Sequence, residues 1–267
     1  MKPIIPFLVL LFLFSNVFSQ ENFKVIKVNG TILLKQKNIS LETGTVFSEK
    51  EDLVFRNEDA TAAVINSQRG RMILTNSNHD LSAARSNYLP SMYNLSTRGV
   101  NSSTISLDNL EEIQNHFSGK YVVLEKQKIT MDNKTFPMNK DNFFFLRYIY
   151  KGVEINKKLE YSGDTVIIDK QNLFTIDGRP IPSPDNTSIT LYYHKGSDSY
   201  EISEFDLIFP DINQLKKEIK IILDEIKNKS LKEKIGEVNG YINEFYGKVY
   251  YGNLVTWLSE NFELKTE

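Results

Sequence analysis

Short runs in which apolar and polar residues alternate fill residues 20–75. The alternation that starts at Phe23 is followed by Asn29-Gly30 and then by the β-prone run Thr31–Leu34. Asn-Gly between two β-prone runs predicts a tight turn, because both turn residues must accept positive φ, so we expect a β-hairpin over Phe23–Lys35. Further short strands with turns about every eight to twelve residues predict a small β-sandwich or barrel.

Residues 120–209 form a second β-rich block. The run Phe143–Tyr150 is apolar or aromatic on both faces apart from Arg147, which indicates a central strand buried on both sides. The other candidate strands are 121–124, 165–168, 188–193 and 202–209. We expect an antiparallel sandwich, of which the immunoglobulin arrangement is one form.

From Pro210 onwards the hydrophobic period becomes helical. Asp211 is placed to cap a first helix, and Ser230-Leu231-Lys232-Glu233 has the sequence of a capping box for a second. Gly236 and Gly240 weaken the second helix by ~1 kcal/mol each relative to alanine, so we expect close packing there to compensate. A third helix is predicted over about residues 248–262.

The connection between the two β-rich blocks, residues 76–119, is rich in serine and asparagine. Near its end, Ser106 is expected to cap a short helix, Leu107–Phe117. Tyr88 and Tyr93 are isolated aromatic residues within it. We favour the interpretation that these two residues pack the connection against a neighbouring domain. The alternative is that they bind a partner.

These elements predict a mainly β protein with a C-terminal helical segment, α+β in class. The two β-rich blocks are expected to be two small sandwich- or barrel-like domains. The expected domain order is a signal peptide (1–19), a β-domain (20–75), a linker with a short helix (76–119), a β-sandwich-like domain (120–209) and C-terminal helices (210–267).

The N-terminus has the three parts of a secretory signal peptide. Lys2 provides a positive start, Ile4–Phe14 is an apolar run too short to span a membrane, and Val17-Phe18-Ser19 fits a cleavage site. We therefore expect cleavage after Ser19 and export of the mature chain to the periplasm or the outside of a Gram-negative cell.

The composition of the chain excludes several classes of function. The net charge of −2 does not favour nucleic acid. No later apolar run approaches spanning length, so no membrane span is expected in the mature chain. Cysteine is absent, which excludes thiol catalysis and cysteine-ligated metals, and fits a bacterial periplasm better than a eukaryotic secreted protein.

The order of motifs in residues 23–75 resembles a known module. Ile-Lys-Val-Asn-Gly, Leu-Glu-Thr-Gly, Asp-Leu-Val-Phe, Ala-Ala-Val-Ile and Arg-Gly-Arg-Met-Ile-Leu follow one another as in the periplasmic β-domain of FecR-type regulators. The chain also resembles an exported Gram-negative family of unassigned function. FecR-type proteins signal through a membrane helix, which is not expected here, so the resemblance implies only the shape of the module.

Residues with catalytic or metal-binding chemistry are scattered. His79, His116 and His194 share no ligand spacing, and no nucleophile elbow or phosphate loop occurs, so we expect no metal, no cofactor and no catalytic centre. Asp164 and Asp169 bracket a strand, and a hydrolase would need such carboxylates to converge. Gly178-Arg179 fits a turn with an exposed arginine.

Aromatic residues are concentrated near the C-terminus. At helical spacing they favour the seam between helices, and a docking patch is the alternative. The candidate partner-binding residues are Tyr88, Tyr93, Tyr246, Tyr250, Tyr251 and Trp257. We therefore expect an exported, non-enzymatic envelope module that assembles with or senses an envelope protein through protein contacts. The alternatives are a secreted carboxylate-dependent hydrolase of glycosidase type and a carbohydrate-binding module, which would need a coplanar row of exposed aromatic rings.

Overall fold

A computed structural model describes residues 22–76, 106–262 and 264 of the chain. The predicted leader and most of the predicted linker, with Tyr88, Tyr93 and His79, lie outside the described residues. The chain divides into two compact units, Met1–Tyr88 and Leu89–Glu267. The described residues confirm a mainly β protein, α+β in class, with helices at the C-terminal end.

The first unit is built from two small antiparallel sheets. Its described strands are β1 (Asn22–Asn29), β2 (Ile32–Leu34), β3 (Ile39–Ser40), β4 (Val46–Ser48), β5 (Leu53–Phe55), β6 (Thr61–Asn66) and β7 (Gly70–Thr75). The strand orders are β4-β1-β6-β7 and β3-β2-β5. Apolar side chains from both sheets meet in one core, so the alternating pattern of this region is explained by one buried and one solvent-facing side of each strand.

The expected hairpin over Phe23–Lys35 is wrong. The chain turns at Asn29-Gly30, but β1 pairs with β4 and β6 whereas β2 pairs with β3 and β5. Both edges of β1 are therefore occupied, and the turn carries the chain from one sheet to the other. Gly30 has φ +76, and a Cβ there would lie 2.9 Å from the Cβ of Ala60, so the corner requires glycine for its conformation and for space.

The second unit contains the remaining described elements. Its strands are β8 (Ser106–Leu107), β9 (Lys120–Val122), β10 (Lys126–Met131), β11 (Asn142–Tyr150), β12 (Val153–Lys158), β13 (Glu160–Ser162), β14 (Thr165–Asp169), β15 (Thr175–Ile176), β16 (Arg179–Pro180), β17 (Ser188–Lys195), β18 (Asp198–Ile208) and β19 (Lys248–Val249). Its helices are α1 (Leu110–His116), α2 (Lys170–Leu173), α3 (Ile212–Glu225), α4 (Leu231–Phe245) and α5 (Tyr251–Phe262).

Two sheets of the second unit enclose its main core. One has the order β12-β11-β17-β18-β9-β19 and the other β13-β14-β10-β8. Residues such as Leu146 and Leu191 from the first sheet and Ile129 and Val166 from the second share this core. The sequence predicts an antiparallel sandwich, and this prediction is wrong in part. The strand β9 pairs in parallel with β18 and β19, and β8 pairs in parallel with β10.

The short helix begins later than its sequence predicts. Ser106 and Leu107 form β8 instead of a helix start, and Asn109 is the N-cap of α1, accepting a hydrogen bond from the Glu112 amide at 2.9 Å. The carboxylate of Glu112 in turn accepts from the Asp108 amide. Gln114 on this helix donates to the Ile202 carbonyl of β18, so α1 belongs to the sandwich.

The C-terminal helices carry the predicted caps. Asp211 caps α3, and Ser230 with Glu233 forms a reciprocal capping box on α4. Gly236 and Gly240 are both buried, as close packing requires. The third helix, α5, begins at Tyr251 instead of Lys248, because Lys248–Val249 forms β19 on the edge of the six-stranded sheet. The helices and the sandwich are thus one unit.

Candidate binding surface

The outer side of the six-stranded sheet carries aromatic and charged residues in defined register. Along β11 the residues alternate between Phe144, Leu146 and Tyr148, which are buried in the core, and their neighbours, which point the other way. We call this second side the ladder face: Phe143, Phe145, Arg147 and Ile149 of β11, Glu154, Asn156 and Lys158 of β12, Ser188, Thr190, Tyr192 and His194 of β17, and Ser199, Glu201, Glu204 and Asp206 of β18.

Four rings stack across β11 and β17 on this face. The Phe145 and Tyr192 ring centroids are 4.9 Å apart with only 7° between the ring planes. The Phe143 ring lies 4.7 Å from the His194 ring and 6.4 Å from the Phe145 ring. Because each ring packs against a ring on the neighbouring strand, Phe145 is only 8% exposed although it lies on the outer side of the sheet.

Two cations close the outer ends of this stack. The Lys158 Nζ is 3.9 Å from the centroid of the Phe143 ring, and the Arg147 guanidinium is 4.6 Å from the centroid of the Tyr192 ring. Cations are attracted to the negative face of an aromatic ring. Arg147 is held in place by a 2.8 Å bond from its Nε to the Asn156 side chain and by Glu154 at 3.8 Å.

The ring faces of this stack are therefore already in contact with other side chains. Stacking on a sugar needs an open ring face, whereas Tyr192 is enclosed between Phe145 and Arg147. What remains open to solvent is the ring edges together with polar groups. The ladder face thus lacks the coplanar row of exposed rings that a carbohydrate-binding module requires.

One border of the ladder face is acidic. Glu201 accepts a hydrogen bond from the Tyr192 hydroxyl at 3.0 Å, Glu204 from Ser188 at 2.5 Å and Asp206 from Thr187 at 2.8 Å. Burial is the main cause that raises the pKa of Tyr192, and its bond to Glu201 adds to the shift, so the hydroxyl remains a donor at neutral pH.

A second polar cluster is buried beneath the sheet. His116 Nε2 is 2.6 Å from the Tyr121 hydroxyl, which also accepts a hydrogen bond from Gln127. Burial, with a smaller contribution from the Lys248 charge, lowers the pKa of His116 to about 3. The imidazole is therefore neutral at physiological pH and shares a hydrogen bond with the Tyr121 hydroxyl. With Tyr121 and Gln127 fully buried, this cluster is closed to a substrate and ties α1 to the sheet.

The carboxylates that sequence singled out do not converge. Asp169 caps α2 through the Gln171 amide and lies 3.4 Å from Lys126, whereas Asp164 lies at the opposite end of β14 and accepts from Thr165. Five residues of extended chain separate them by roughly 16 Å, beyond the roughly 5–9.5 Å between the two carboxyl groups of glycosidases. Glu112 caps α1 with its carboxylate, and Arg179 is exposed on β16.

The candidate C-terminal residues lie mainly in the helical seam. Trp257 and Tyr250 are 3% and 9% exposed, and Tyr250 packs against the His116 ring. Tyr246 and Tyr251 are half-buried, and the Tyr246 hydroxyl donates to the buried Glu218 at 2.5 Å. The structure brings these residues into one helical region but presents little of Trp257 or Tyr250 for a partner.

The described part of the first unit includes a surface depression. A shallow depression of about 340 Å³ is lined by Asn22, Lys37, Val46, Phe47, Ser48, Lys50 and Glu51. Glu51 pairs with Lys37 at 2.5 Å and accepts from the Ser48 amide, and these bonds lower the pKa of its carboxyl. Two of the charged residues that line the depression, Lys37 and Glu51, are thus paired with each other.

Sequence reasoning missed the residues of the ladder face. It assigned both sides of the run Phe143–Tyr150 to a core, since aromatic residues on both faces of a strand usually indicate full burial. The structure buries one side and leaves Phe143, Arg147 and Ile149 half-buried on the other. The available signal was Arg147 in the middle of the run, because a cation there marks which side reaches solvent.

Comparison with known proteins adds no assignment. No family model, no curated protein and no solved structure matches this chain. Among the described residues, no three histidine, aspartate or glutamate side chains are grouped so as to hold a metal ion. In that same part of the chain, no helix has both the length and the apolar character to cross a membrane.

Proposed function

We propose that this chain is an exported, non-enzymatic module that binds another envelope protein through the ladder face. The leader-like sequence of residues 1–19 supports export, and the FecR-like order of motifs in residues 23–75 supports a role in the envelope. The binding role is supported by the ladder face.

The observation that carries this proposal is the cation-capped stack of rings on an open sheet surface. Aromatic residues and arginine are enriched in protein interfaces, where they supply most of the binding energy. Here their rotamers are already fixed by stacking at 4.9 Å and by the Arg147–Asn156 hydrogen bond. A surface ordered before binding loses less side-chain entropy on association.

The charged groups around the stack fit the same role. On both sides of the rings, which are half-buried or, at Phe145, buried, the exposed charged residues are Glu154, Lys158, Glu201 and Glu204. A protein interface combines such a polar rim with a less exposed aromatic centre. The rim favours specificity and rate of encounter, and the centre favours affinity.

Site-specific photocrosslinking tests the proposal. We would place benzoylphenylalanine at Thr190, in the middle of the ladder face, and at Ser162 on β13 of the other sheet as the matched position. After illumination in envelope extract, we expect a discrete adduct from position 190 that is lost when Tyr192→Ala is added. The captured protein, purified separately, should bind the unmodified chain.

The control variant is Tyr200→Ala, which removes an exposed aromatic side chain outside the ladder face. It should leave the adduct at position 190 intact. The proposal fails if position 190 gives no adduct, or if Tyr192→Ala and Tyr200→Ala affect the adduct equally.

A further inference from the structure

We infer that the partner presents an extended segment with basic residues at alternate positions, bound along β17 and β18. This inference rests on the proposed function and names the chemistry of the partner. It follows from the register of the ladder face, the pairing of its charges and the spacing of its rows.

The strand register arranges the ladder face in rows. One row runs Lys158, Phe145, Tyr192, Glu201 across four strands, and the next runs Asn156, Arg147, Thr190, Glu204. The following row is interrupted. Glu154 pairs with Ile149, and Ser188 pairs with Asp206, but the pairing of β11 with β17 ends at Arg147 and Thr190, and the Ile149 carbonyl accepts from the Asp185 amide instead. On β18, Glu201, Glu204 and Asp206 are therefore the register partners of the alternate β17 residues Tyr192, Thr190 and Ser188.

Of the cations on the ladder face, Arg147 has an anionic partner and Lys158 lies over aromatic rings, whereas, among the described residues, the three carboxylates of β18 have hydroxyl partners only. Arg147 and Lys158 are engaged by Glu154, Asn156 and the rings. In the part of the chain that the structure describes, Glu201, Glu204 and Asp206 bind neutral hydroxyls and form no ion pair. Lys120, the register partner of Asp206 on β9, does not lie within ion-pair distance of it.

The spacing of these carboxylates matches an extended ligand. Along β17 the rows are two residues, or roughly 7 Å, apart, and side chains on one side of an extended peptide have the same spacing. On β18 a register shift opposite Leu191 and Tyr192 makes Glu201 and Glu204 three residues apart in sequence, yet they pair with successive rows of β17. Basic residues at alternate positions would therefore meet Glu201, Glu204 and Asp206 in turn. The stems of arginine or lysine side chains would lie over the edges of the Tyr192 and Phe145 rings.

A second copy of this chain fits the ladder face less well. A two-fold axis along the strands would place Lys158 of one copy over Glu201 of the other, but also Glu154 over Asp206. A two-fold axis across the strands would place Glu201 over Glu204. The first arrangement offsets an attractive pair with a repulsive one, and the second brings like charges together, so neither gives the interface complementary charges. A basic segment would instead place positive charges beside the carboxylates of β18.

Peptide binding to the purified chain tests the inference. The probe is a labelled Arg-Thr-Arg-Val-Arg-Thr peptide, and its isomer Arg-Arg-Arg-Thr-Val-Thr has the same charge without the alternation. By fluorescence anisotropy we expect the isomer to bind at least fivefold more weakly. The double variant Glu201→Gln, Glu204→Gln should weaken the alternating peptide at least tenfold and lower the salt dependence of its binding.

The matched control is Glu160→Gln with Glu42→Gln, which changes net charge equally at exposed positions outside the ladder face. It should change peptide affinity less than twofold. Equal binding of the two peptides, or equal effects of the two double variants, would overturn the inference. So would a dimer in sedimentation that Glu201→Gln dissociates.

The same variants separate this inference from the proposed function. If the crosslink at position 190 persists and the captured partner is indifferent to Glu201→Gln with Glu204→Gln, the basic segment is wrong and the ladder face remains the binding surface. If position 190 yields no adduct, the binding surface itself is wrong.

Discussion

At the scale of single residues, the second unit keeps several ionisable groups in its interior and supplies them with neutral partners. His116 faces Tyr121, and Glu218 accepts hydrogen bonds from Tyr241, Tyr246 and Gln214. Buried polar groups are stabilising only when such partners are kept. These clusters therefore predict measurable effects of pH and of single hydroxyl groups on stability.

The low pKa of His116 predicts loss of stability in mild acid. In the unfolded chain the imidazole takes up a proton as pH falls through about 6.5, whereas the folded chain does so only near pH 3. Stability conferred by the neutral imidazole is therefore present above pH 6.5 and lost as pH falls toward 3. Between pH 7 and pH 5 this group should contribute about 2 kcal/mol of lost stability.

The measurement is urea unfolding at both pH values for the unmodified chain and for His116→Gln. The difference between the two pH values should shrink by about 2 kcal/mol in this variant. His194→Gln, on the ladder face, is the control and should leave the difference unchanged. An undiminished pH effect in His116→Gln would show that the imidazole is not held neutral.

The hydroxyl of Tyr246 should contribute measurably to the free energy of unfolding. Tyr246→Phe removes one of the donors to the buried Glu218, so we expect the free energy of unfolding to fall by about 1–2 kcal/mol. Tyr251→Phe, at a half-buried tyrosine nearby, should cost less than about 0.5 kcal/mol. Equal effects in urea unfolding would contradict the role of the Tyr246–Glu218 bond.

At the scale of elements, local sequence signals predicted the structure correctly where a segment forms its hydrogen bonds within itself. The capping box at Ser230 and the cap at Asp211 depend only on residues within a single turn, and both were predicted. The turn at Asn29-Gly30 was also found, but its hairpin was not, because β1 pairs with strands distant in sequence. The same limit hid β19, a two-residue strand whose partner is more than a hundred residues away.

The joint between α4 and β19 should depend on Gly247. Its φ is +129, and a Cβ there would lie 2.5 Å from the Lys120 carbonyl oxygen on the neighbouring strand. Gly247→Ala should therefore lower the free energy of unfolding by about 2–4 kcal/mol, through backbone strain and displacement of β9. Gly152→Ala, with φ +72 and open space, should cost only about 1 kcal/mol.

Urea unfolding of both variants, followed by circular dichroism, provides the comparison. Similar costs for Gly247→Ala and Gly152→Ala would mean that β19 does not hold the helices against the sheet. A larger cost confined to Gly247→Ala supports a single cooperative second unit.

At the scale of the whole molecule, the sequence predicted the fold class and the C-terminal helices but not the candidate binding surface. Phe143 is far in sequence from Tyr192 and Glu201, and the three residues share one face only through strand register. Alternation within one strand cannot tell which side meets the opposite sheet. The aromatic residues that sequence favoured, such as Trp257, are conspicuous because helical spacing groups them, and the same grouping buries them.

The central claim is that the ladder face binds a protein, and its most direct test is the affinity of the partner captured at position 190. The dissociation constant would be measured by calorimetry for the unmodified chain, Tyr192→Ala and Tyr200→Ala. Removing a central aromatic anchor should weaken binding about 30-fold, or about 2 kcal/mol, whereas Tyr200→Ala should change it less than twofold. Equal affinity for all three chains would contradict the account.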